Sequence, residues 1–272
     1  SRSHGGVGDR PGRPPRGDKV ADQQVMNEVL YGRNAVREAL RAGRRRIYKL
    51  VLAQGMKDTG IVADILTLAN ESGVPIQRVE RQQLDRLGDI NHQGVAAEAA
   101  PYPYVELEEI LAKADQRQEM PLLLMLDCLQ DPQNLGSLLR TAEIVGVHGV
   151  VIPKRRAVGI TPAVVNSSAG ATEHLRVARV TNLVRAMEEL KARGLWMVGL
   201  EDVPQAQLYH HSDLTMPLAL VVGSEGRGLG RLVRETCDIL IRLPMRGKIN
   251  SLNAAVAGSI ALYELWRQRG TT

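Results

Sequence analysis

Three polar side chains at the start of the last helix could either bind a ligand or cap that helix. Asn250, Ser251 and Asn253 stand where a run of small and apolar residues begins, and this run predicts a helix over residues 252–267. The start of a helix presents unpaired N–H groups and a partial positive charge, so hydroxyl and carboxamide groups there satisfy either the helix or a bound molecule. Both interpretations stay open for this segment alone.

A glycine-rich segment follows an apolar stretch that predicts a strand over residues 218–222. Four glycines between residues 223 and 230 allow the backbone to approach a ligand closely. Their spacing fits neither the dinucleotide-binding pattern nor the Walker A loop, which argues against enzymes of nicotinamide nucleotides or nucleoside triphosphates. Glu225 in this loop either accepts hydrogen bonds from the loop's own amides or orients a partner such as Arg140.

A third polar segment follows the apolar stretch at residues 121–126 and leads into a helix predicted over residues 135–145. Asn134 precedes this helix and is either its N-cap or part of a site. Arg140 lies within the helix and has apolar neighbours such as Leu139. A charged residue among apolar ones predicts a functional role for Arg140.

Alternating helices and apolar strands predict an α/β fold with a parallel sheet covered on both faces. In such sheets ligands bind at the carboxyl ends of the strands, where the three polar segments lie. The other predicted strands of this part are residues 149–152, 195–200 and 239–243, and its other helices are residues 107–114 and 183–192.

The sequence predicts four regions along the chain. Residues 1–27 are rich in glycine, proline and arginine and predict a disordered basic arm, while residues 28–100 predict a small α/β domain. The Pro-Tyr-Pro-Tyr run makes residues 101–106 a semi-rigid linker, and residues 107–272 form the large domain. Within the small domain, strands are predicted over residues 47–53, 76–79 and 95–99, and helices after Gly32 and over residues 61–69 and 82–87.

The small domain carries the residues that could contact phosphates. A basic cluster near its start is either a phosphate-contacting face or a solvated helix end, and a polar turn before its last strand is either a substrate contact or a plain turn. The candidates for RNA contact are Arg33, Arg37, Arg41, Arg44, Arg45 and His92.

Composition narrows the classes of protein. The chain has 272 residues, a net charge of +5 and 44% hydrophobic residues, which fits a globular protein with a nucleic-acid partner or an ordinary basic enzyme. It has no Phe, which argues against rows of aromatic rings that stack on bases. Cys128 and Cys237 lie far apart and predict buried, reduced thiols, and no long apolar run, signal peptide or metal-binding spacing is found. A cytoplasmic protein with no metal and no membrane contact is therefore expected.

The three polar segments together resemble the SpoU, or TrmH, family of the SPOUT methyltransferases. The order of an Asn…Arg segment, a Gly-x-Glu-Gly loop and a Pro-x-x-Gly…Ser-Leu-Asn segment is the same, from Asn134 to Asn253. The start of the small domain, Tyr31-Gly-Arg-Asn-Ala-Val, and its His92-Gln-Gly turn also resemble the L30e-like RNA-binding domain of that family. The resemblance covers nearly all of the chain beyond the arm.

The resemblance implies a fold and an activity. It implies a deep trefoil knot, a homodimer, and methylation of a ribose 2′-hydroxyl in RNA with S-adenosylmethionine. Within the family, this sequence most resembles the members that methylate a guanosine of 23S rRNA. A methyltransferase acting on tRNA or on another rRNA ribose, and a catalytically silent RNA-binding or ribosome-assembly protein, are the alternatives.

Roles for particular residues also follow from the resemblance. The implied catalytic residues are Asn134, Arg140, Glu225, Ser251 and Asn253, with Glu225 supporting Arg140. The implied cofactor-binding residues are Gly223, Glu225, Gly226, Leu243, Met245, Ser251, Leu252 and Asn253.

Overall fold

Two β-sheets organise the part of the chain that the computed structural model describes, residues 27–249 and 251–270. All but the last residue of the predicted arm, and Asn250, lie outside this part. The first sheet falls within residues 28–99 and the second within residues 122–242. Among the described residues no helix is long and apolar enough to span a membrane.

The first sheet has four strands in the order β1-β4-β2-β3, and only the β2–β3 pair is parallel. Its elements are β1 (Glu28–Tyr31), α1 (Arg33–Ala42), β2 (Ile47–Ala53), α2 (Ile61–Glu71), β3 (Ile76–Val79), α3 (Arg81–Asp85) and β4 (Val95–Ala99). The three predicted strands are confirmed with the expected bounds, and β1 was not predicted. Only one of the four residues of β1 is fully buried, so its sequence shows no clear alternation.

The second sheet has seven strands, and every neighbouring pair in it is parallel. Its order is β7-β6-β5-β10-β8-β11-β9. Its strands are β5 (Leu122–Leu126), β6 (Gly149–Pro153), β7 (Val177–Val180), β8 (Trp196–Leu200), β9 (Gln207–Leu208), β10 (Leu218–Val222) and β11 (Ile239–Arg242). The helices of this part are α4 (Leu107–Arg117), α5 (Pro132–Ile144), α6 (Pro162–Ser167), α7 (Leu183–Ala192), α8 (Arg231–Thr236) and α9 (Ala254–Gln268).

Helices cover both faces of the parallel sheet, as the sequence predicts. Every residue of β5 and β10 is buried. Leu124 packs with α5 and α9 on one face, while Met125 packs with α4 and α7 on the other. Strands buried on both faces need the nearly continuous apolar runs seen in the sequence. The trefoil knot implied by the resemblance stays a prediction.

The predicted linker is bound to the large sheet rather than free. Tyr102 is buried, and its hydroxyl donates to the carbonyl of Leu175 over 2.6 Å. The hydroxyl of Tyr104 accepts from the backbone N–H of Ile160 over 2.7 Å, and Val105 forms a bridge with Ala178. The two tyrosine side chains therefore attach the linker to the large domain.

A buried ion pair joins the two sheets. The guanidinium of Arg45, which follows α1, donates to both carboxylate oxygens of Glu173 from the large domain. Both side chains are 1% exposed, and Glu28 of β1 also accepts from Arg45 over 2.7 Å. The junction therefore depends on charges that water cannot replace.

Candidate active site

The three polar segments meet at the carboxyl edge of the parallel sheet. Leu126 at the end of β5 pairs with Val222 at the end of β10, and β11 lies two strands further along. The backbone N–H of Asp127 continues the ladder by donating to the carbonyl of Val222 over 2.8 Å. The prediction that strand ends collect these segments is thus confirmed.

A hydrogen-bond network links one side chain from each segment. Glu225 Oε1 accepts from Asn134 Nδ2 over 2.8 Å and also from Asn253 Nδ2. Asn253 Nδ2 is within 2.8 Å of Asn134 Oδ1 as well. The network joins α5, the loop after β10 and the start of α9 into one unit.

Asn253 is both a helix cap and a member of this network. Its Oδ1 accepts from the backbone N–H groups of Ala255 and Val256 over 2.9 and 3.1 Å, which caps α9. Because the oxygen is committed to the helix, the amide nitrogen must point at Glu225. The cap interpretation is confirmed for Asn253, and ligand binding by this segment stays a prediction.

Asn134 does not cap its helix, so one alternative from the sequence is wrong. Asp131 is the N-cap of α5 and accepts from the backbone N–H groups of Gln133 and Asn134, each over 3.2 Å. Pro132 occupies the first helical position, where a missing N–H costs nothing. The carboxamide of Asn134 is therefore available to Glu225.

Arg140 is not the partner of Glu225 among the described residues, which corrects the expectation that Glu225 supports it. Arg140 is exposed, while Leu138 and Leu139 beside it in α5 are buried. The apolar neighbours thus reflect the alternating faces of a helix rather than an apolar environment. Six residues along a helix turn Arg140 about 120° away from Asn134 and about 9 Å along the axis.

The glycine-rich loop turns back on itself and presents Glu225. The backbones of Ser224 and Gly228 bond to each other in both directions, over 3.2 and 3.0 Å. Gly226 and Gly228 have φ of 76° and 64°, a region that glycine adopts without strain. A Cβ on Gly223 would lie 2.2 Å from the backbone carbon of Gly228, so only glycine fits there.

A cavity of about 290 Å³ lies between this loop and the start of α9. Of the predicted cofactor residues, those that line it are Gly223, Glu225, Gly226, Leu243, Met245, Ser251 and Leu252. Asn253 does not line it and contributes through Glu225 instead.

Sequence reasoning missed two of the acidic residues that line this cavity, Glu201 and Asp202. Both follow β8, so the strand-end rule that found the other segments would have found them too. Glu201 Oε1 lies 3.4 Å from the guanidinium of Arg234, whereas its buried Oε2 has no hydrogen-bond partner among the described residues. A buried carboxylate oxygen without a donor is a group that a ligand can satisfy.

A second cavity of about 500 Å³ adjoins the first. Both cavities are lined by Glu225, and the second also by Asn134, Asp127 and Cys128. Burial, with a further contribution from Asp127, raises the pKa of Cys128, so its thiol is neutral near pH 7. Both cysteines are half-buried rather than fully buried as predicted. The hydrogen-bond network of Asn134, Glu225 and Asn253 therefore lies between the two cavities.

Comparison with known proteins identifies the family. A model of the SpoU rRNA methylase family matches residues 121–263, and a model of the RNA 2′-O ribose methyltransferase substrate-binding domain matches residues 29–105. The chain belongs to the SpoU rRNA methylase family. Together the two matches include every member of the hydrogen-bond network and the whole first sheet apart from its first residue.

Relatives and solved structures agree with this SpoU membership. A Bacillus subtilis protein, YacO, whose name assigns it to the TrmH family of tRNA/rRNA methyltransferases, is 49% identical over 244 residues, covering 90% of this chain and 97% of its own. The SpoU methyltransferase AviRb from Streptomyces viridochromogenes has a TM-score of 0.75 at 26% identity, over 89% of this chain and 90% of its own. Its complex with the cofactor AdoMet gives a TM-score of 0.76 at 24% identity, with coverage of 93% and 94%.

Three of the predicted RNA contacts in this SpoU protein make contacts within the protein itself. Arg45 is buried in the ion pair at the domain junction, and Arg44 donates to backbone carbonyls of the linker and large domain, including that of Pro103 over 3.2 Å. His92 is buried; its Nδ1 accepts from the N–H of Gly94 and its Nε2 lies 2.8 Å from Asp85. The sequence could not distinguish these roles, because the partners of Arg44 and Arg45 are distant along the chain.

The remaining candidates lie on or near the surface of α1. Arg33 and Arg41 are exposed, and Arg37 is half-buried. Glu38 accepts from Arg37 and Arg41 over 2.9 and 3.0 Å, which neutralises part of their charge. Their role in RNA contact stays a prediction. Among the described residues no group of three His, Cys, Asp or Glu side chains is arranged to hold a metal ion.

Proposed function

We propose that this SpoU-family protein transfers a methyl group from S-adenosylmethionine to the 2′-hydroxyl of a ribose in RNA, that of a guanosine in 23S rRNA. The observation that carries the proposal is the network of Asn134, Glu225 and Asn253 between two adjoining hollows. Methyl transfer needs a donor and an acceptor held side by side, and two cavities with a shared polar wall supply this arrangement. Membership of a family named for rRNA methylation supports the reaction class.

The residues of the smaller cavity fit S-adenosylmethionine. Leu243 and Leu252 offer apolar surface, and Gly223 lets the loop close on itself at the wall of the cavity. Glu201 and Asp202 offer carboxylate oxygens to hydroxyl or amino groups, and the unpartnered Oε2 of Glu201 is the strongest of these acceptors. The cavity is at the small end of the range for ligand pockets, about 300–1,000 Å³. When bound, the cofactor supplies a methyl group activated by its sulfonium.

The protein's own part in the reaction is positioning and charge stabilisation. The larger cavity receives the target nucleoside, and the network fixes Asn134 and Glu225 against the ribose. A 2′-hydroxyl becomes nucleophilic as it loses its proton. A guanidinium is a poor base, so we assign Arg140, about 9 Å along α5 from Asn134, to the phosphate beside the target ribose and to the negative charge that develops there. The proton passes to water or to that phosphate.

We also propose that the protein is a homodimer that pairs through α9. One side of α9 is buried in the chain, whereas Val256, Ile260, Tyr263 and Trp266 on its other side are 49%, 38%, 47% and 39% exposed. These residues recur at helical spacing and form one apolar stripe. A second copy of the same surface would remove it from water, as in two-fold dimers generally. A monomer by light scattering at micromolar concentration would contradict this.

The experiment that tests the function is methylation of RNA with labelled cofactor. The full chain is incubated with methyl-labelled S-adenosylmethionine and, separately, with a 23S rRNA transcript and with total tRNA, and the modified nucleotide is mapped. We expect label on the ribose of a single 23S rRNA guanosine, and a loss of at least tenfold in kcat for Arg140→Lys with unchanged RNA affinity.

Each other outcome would correct a different part of the proposal. Label on tRNA alone would assign the substrate to the other class named for the relatives. RNA binding without label on any RNA would favour a silent binding protein. Full turnover by Arg140→Lys would contradict only the role given to Arg140.

A further inference from the structure

A basic cleft lies at the opposite edge of the large sheet from the active site. It is lined by side chains of both domains: Arg44, Lys113, Arg117 and Arg176, together with Glu143 and His174. The cleft has a volume of about 460 Å³. Arg176 directly precedes β7, so the cleft is at the amino end of β7, whereas the active site lies at the carboxyl ends of the parallel strands.

The charges in this cleft are unbalanced. Four formal positive charges face the single carboxylate of Glu143. Within the described residues no carboxylate oxygen lies within 4.0 Å of any of the four cations. His174 does not alter the balance, because its Nε2 pairs with Glu38 over 2.8 Å.

Two of the cations are held in place by uncharged acceptors. Arg44 donates to the hydroxyl of Tyr102 and to the carbonyl of Pro103, each over 3.2 Å, and Arg176 donates to the carbonyl of Glu109 over 2.7 Å. Neutral acceptors fix a guanidinium without cancelling its charge. The cleft therefore keeps its positive potential in a fixed geometry.

The pKa of Lys113 reflects the positive potential of the cleft. Burial and the nearby charges of Arg117, Arg176 and Arg44 together lower the pKa of its amine to about 8, and Glu143 offsets only part of this effect. A protein that folds with a cation under such repulsion gains stability when an anion enters the cleft.

The local structure and the rest of the chain do not account for all four charges. Arg117 lies in the last turn of α4, where a cation is favourable, but this explains one charge only. Residues 1–20 carry five basic and two acidic residues, a net charge of +3, and so have the wrong sign to fill the cleft.

We infer that this cleft binds the phosphate backbone of the RNA substrate, away from the nucleotide that is methylated. The inference rests on the proposed function for the identity of the RNA. The strands between the cleft and the active site are five residues long, which corresponds to about 17 Å at about 3.3 Å per residue. A folded RNA must therefore extend around the side of the protein to reach both. Because Arg44 comes from the small domain, such an RNA would contact both domains at once.

The test is the salt dependence of RNA binding. The double variant Lys113→Gln/Arg117→Gln is compared with the wild type and with Arg185→Gln/Arg193→Gln, which removes two exposed charges from α7 and its end, outside the cleft. Binding of a labelled 23S rRNA transcript, or of total tRNA if that is the substrate, is measured between 50 and 200 mM KCl, conditions chosen from the general range for such contacts.

We expect the cleft variant to bind about 25- to 60-fold more weakly at 0.1 M salt. Each lost phosphate contact changes the log–log salt slope by about 0.7 for a single strand and 0.9 for a duplex, so the slope should fall by about 1.4 to 1.8. Both variants should bind S-adenosylmethionine like the wild type. The single variant Arg117→Gln, at an exposed position, should show about half of the effect on the slope and guards against a folding defect at Lys113.

Two results would overturn the inference. One is an equal affinity and slope for the cleft variant and the wild type, and the other is an equal loss in the cleft variant and the charge-matched control. A wild type that binds RNA with the expected salt dependence but transfers no methyl group would contradict the proposed function and leave the cleft assigned to RNA.

Discussion

Replacing Gly223 by alanine should weaken binding of S-adenosylmethionine without unfolding the protein. The added Cβ would lie 2.2 Å from the carbon and 2.3 Å from the oxygen of Gly228, and 2.6 Å from the nitrogen of Leu229. These are backbone atoms, so the loop must move by about 1.2 Å to restore an ordinary contact of about 3.4 Å. That movement breaks the two hydrogen bonds between Ser224 and Gly228.

The expected loss can be estimated from those two bonds. Each contributes about 0.5–1.5 kcal/mol net, which gives about 1–3 kcal/mol, similar to the usual cost of overpacking. If binding needs the closed loop, the Kd for the cofactor rises about 5- to 140-fold. Isothermal titration calorimetry with S-adenosylmethionine measures this change directly, and thermal unfolding shows whether the rest of the fold is intact.

Gly230→Ala is the matched control in the same loop. Gly230 has φ of −57°, which alanine adopts readily, and its new Cβ would meet the flexible carboxylate of Asp127 at 3.1 Å. Its backbone N–H to Asp127 is kept, and we expect a Kd within about twofold of the wild type. The reasoning is refuted if the Gly223 variant binds the cofactor as tightly as the wild type does.

Three further predictions concern the network, the domain junction and a buried histidine. Asn253→Ala should lower the free energy of unfolding by about 1 kcal/mol in urea denaturation, whereas Asn253→Asp should keep the helix cap and so the stability. Methyl transfer should fall at least tenfold in both variants, because the first loses the hydrogen bond to Glu225 and the second repels its carboxylate. Glu173→Gln should destabilise the protein by about 3 kcal/mol in the same urea assay, because Arg45 stays buried with one carboxylate fewer; an unchanged midpoint would contradict this. Burial lowers the pKa of His148, so the folded state binds fewer protons than the unfolded one; its stability should fall as the pH drops through about 6.5 and below, and less so in His148→Asn, as measured by unfolding between pH 5 and 8.

The fold was largely predictable because most of its strands are marked by the composition of their own residues. The runs at residues 122–126 and 218–222 are wholly apolar, and only a strand buried on both faces requires this. The short elements β1, β7 and β9 were missed, whereas β3, which also has four residues, was predicted because a Gly-Val-Pro turn at residues 73–75 marks its start.

The candidate site was predictable in its position but not in its pairings. Strand ends located Asn134, Glu225 and Asn253, while Glu201 was missed although the same rule applied to it. The resemblance suggested that Glu225 supports Arg140, and the structure pairs Glu225 with the two amides instead. Hydrogen-bond partners depend on side-chain directions that sequence spacing alone does not give.

The sequence by itself determined where the candidate site lies, because polar residues at the ends of apolar strands meet at one edge of a parallel sheet. Only the tertiary structure decided which of those residues touch. Glu225 meets partners 91 and 28 residues away, and Arg45 meets Glu173 across 128 residues. Such contacts depend on how whole elements pack. Arg45, which the sequence offered as a possible RNA contact, is buried at the junction between the two domains.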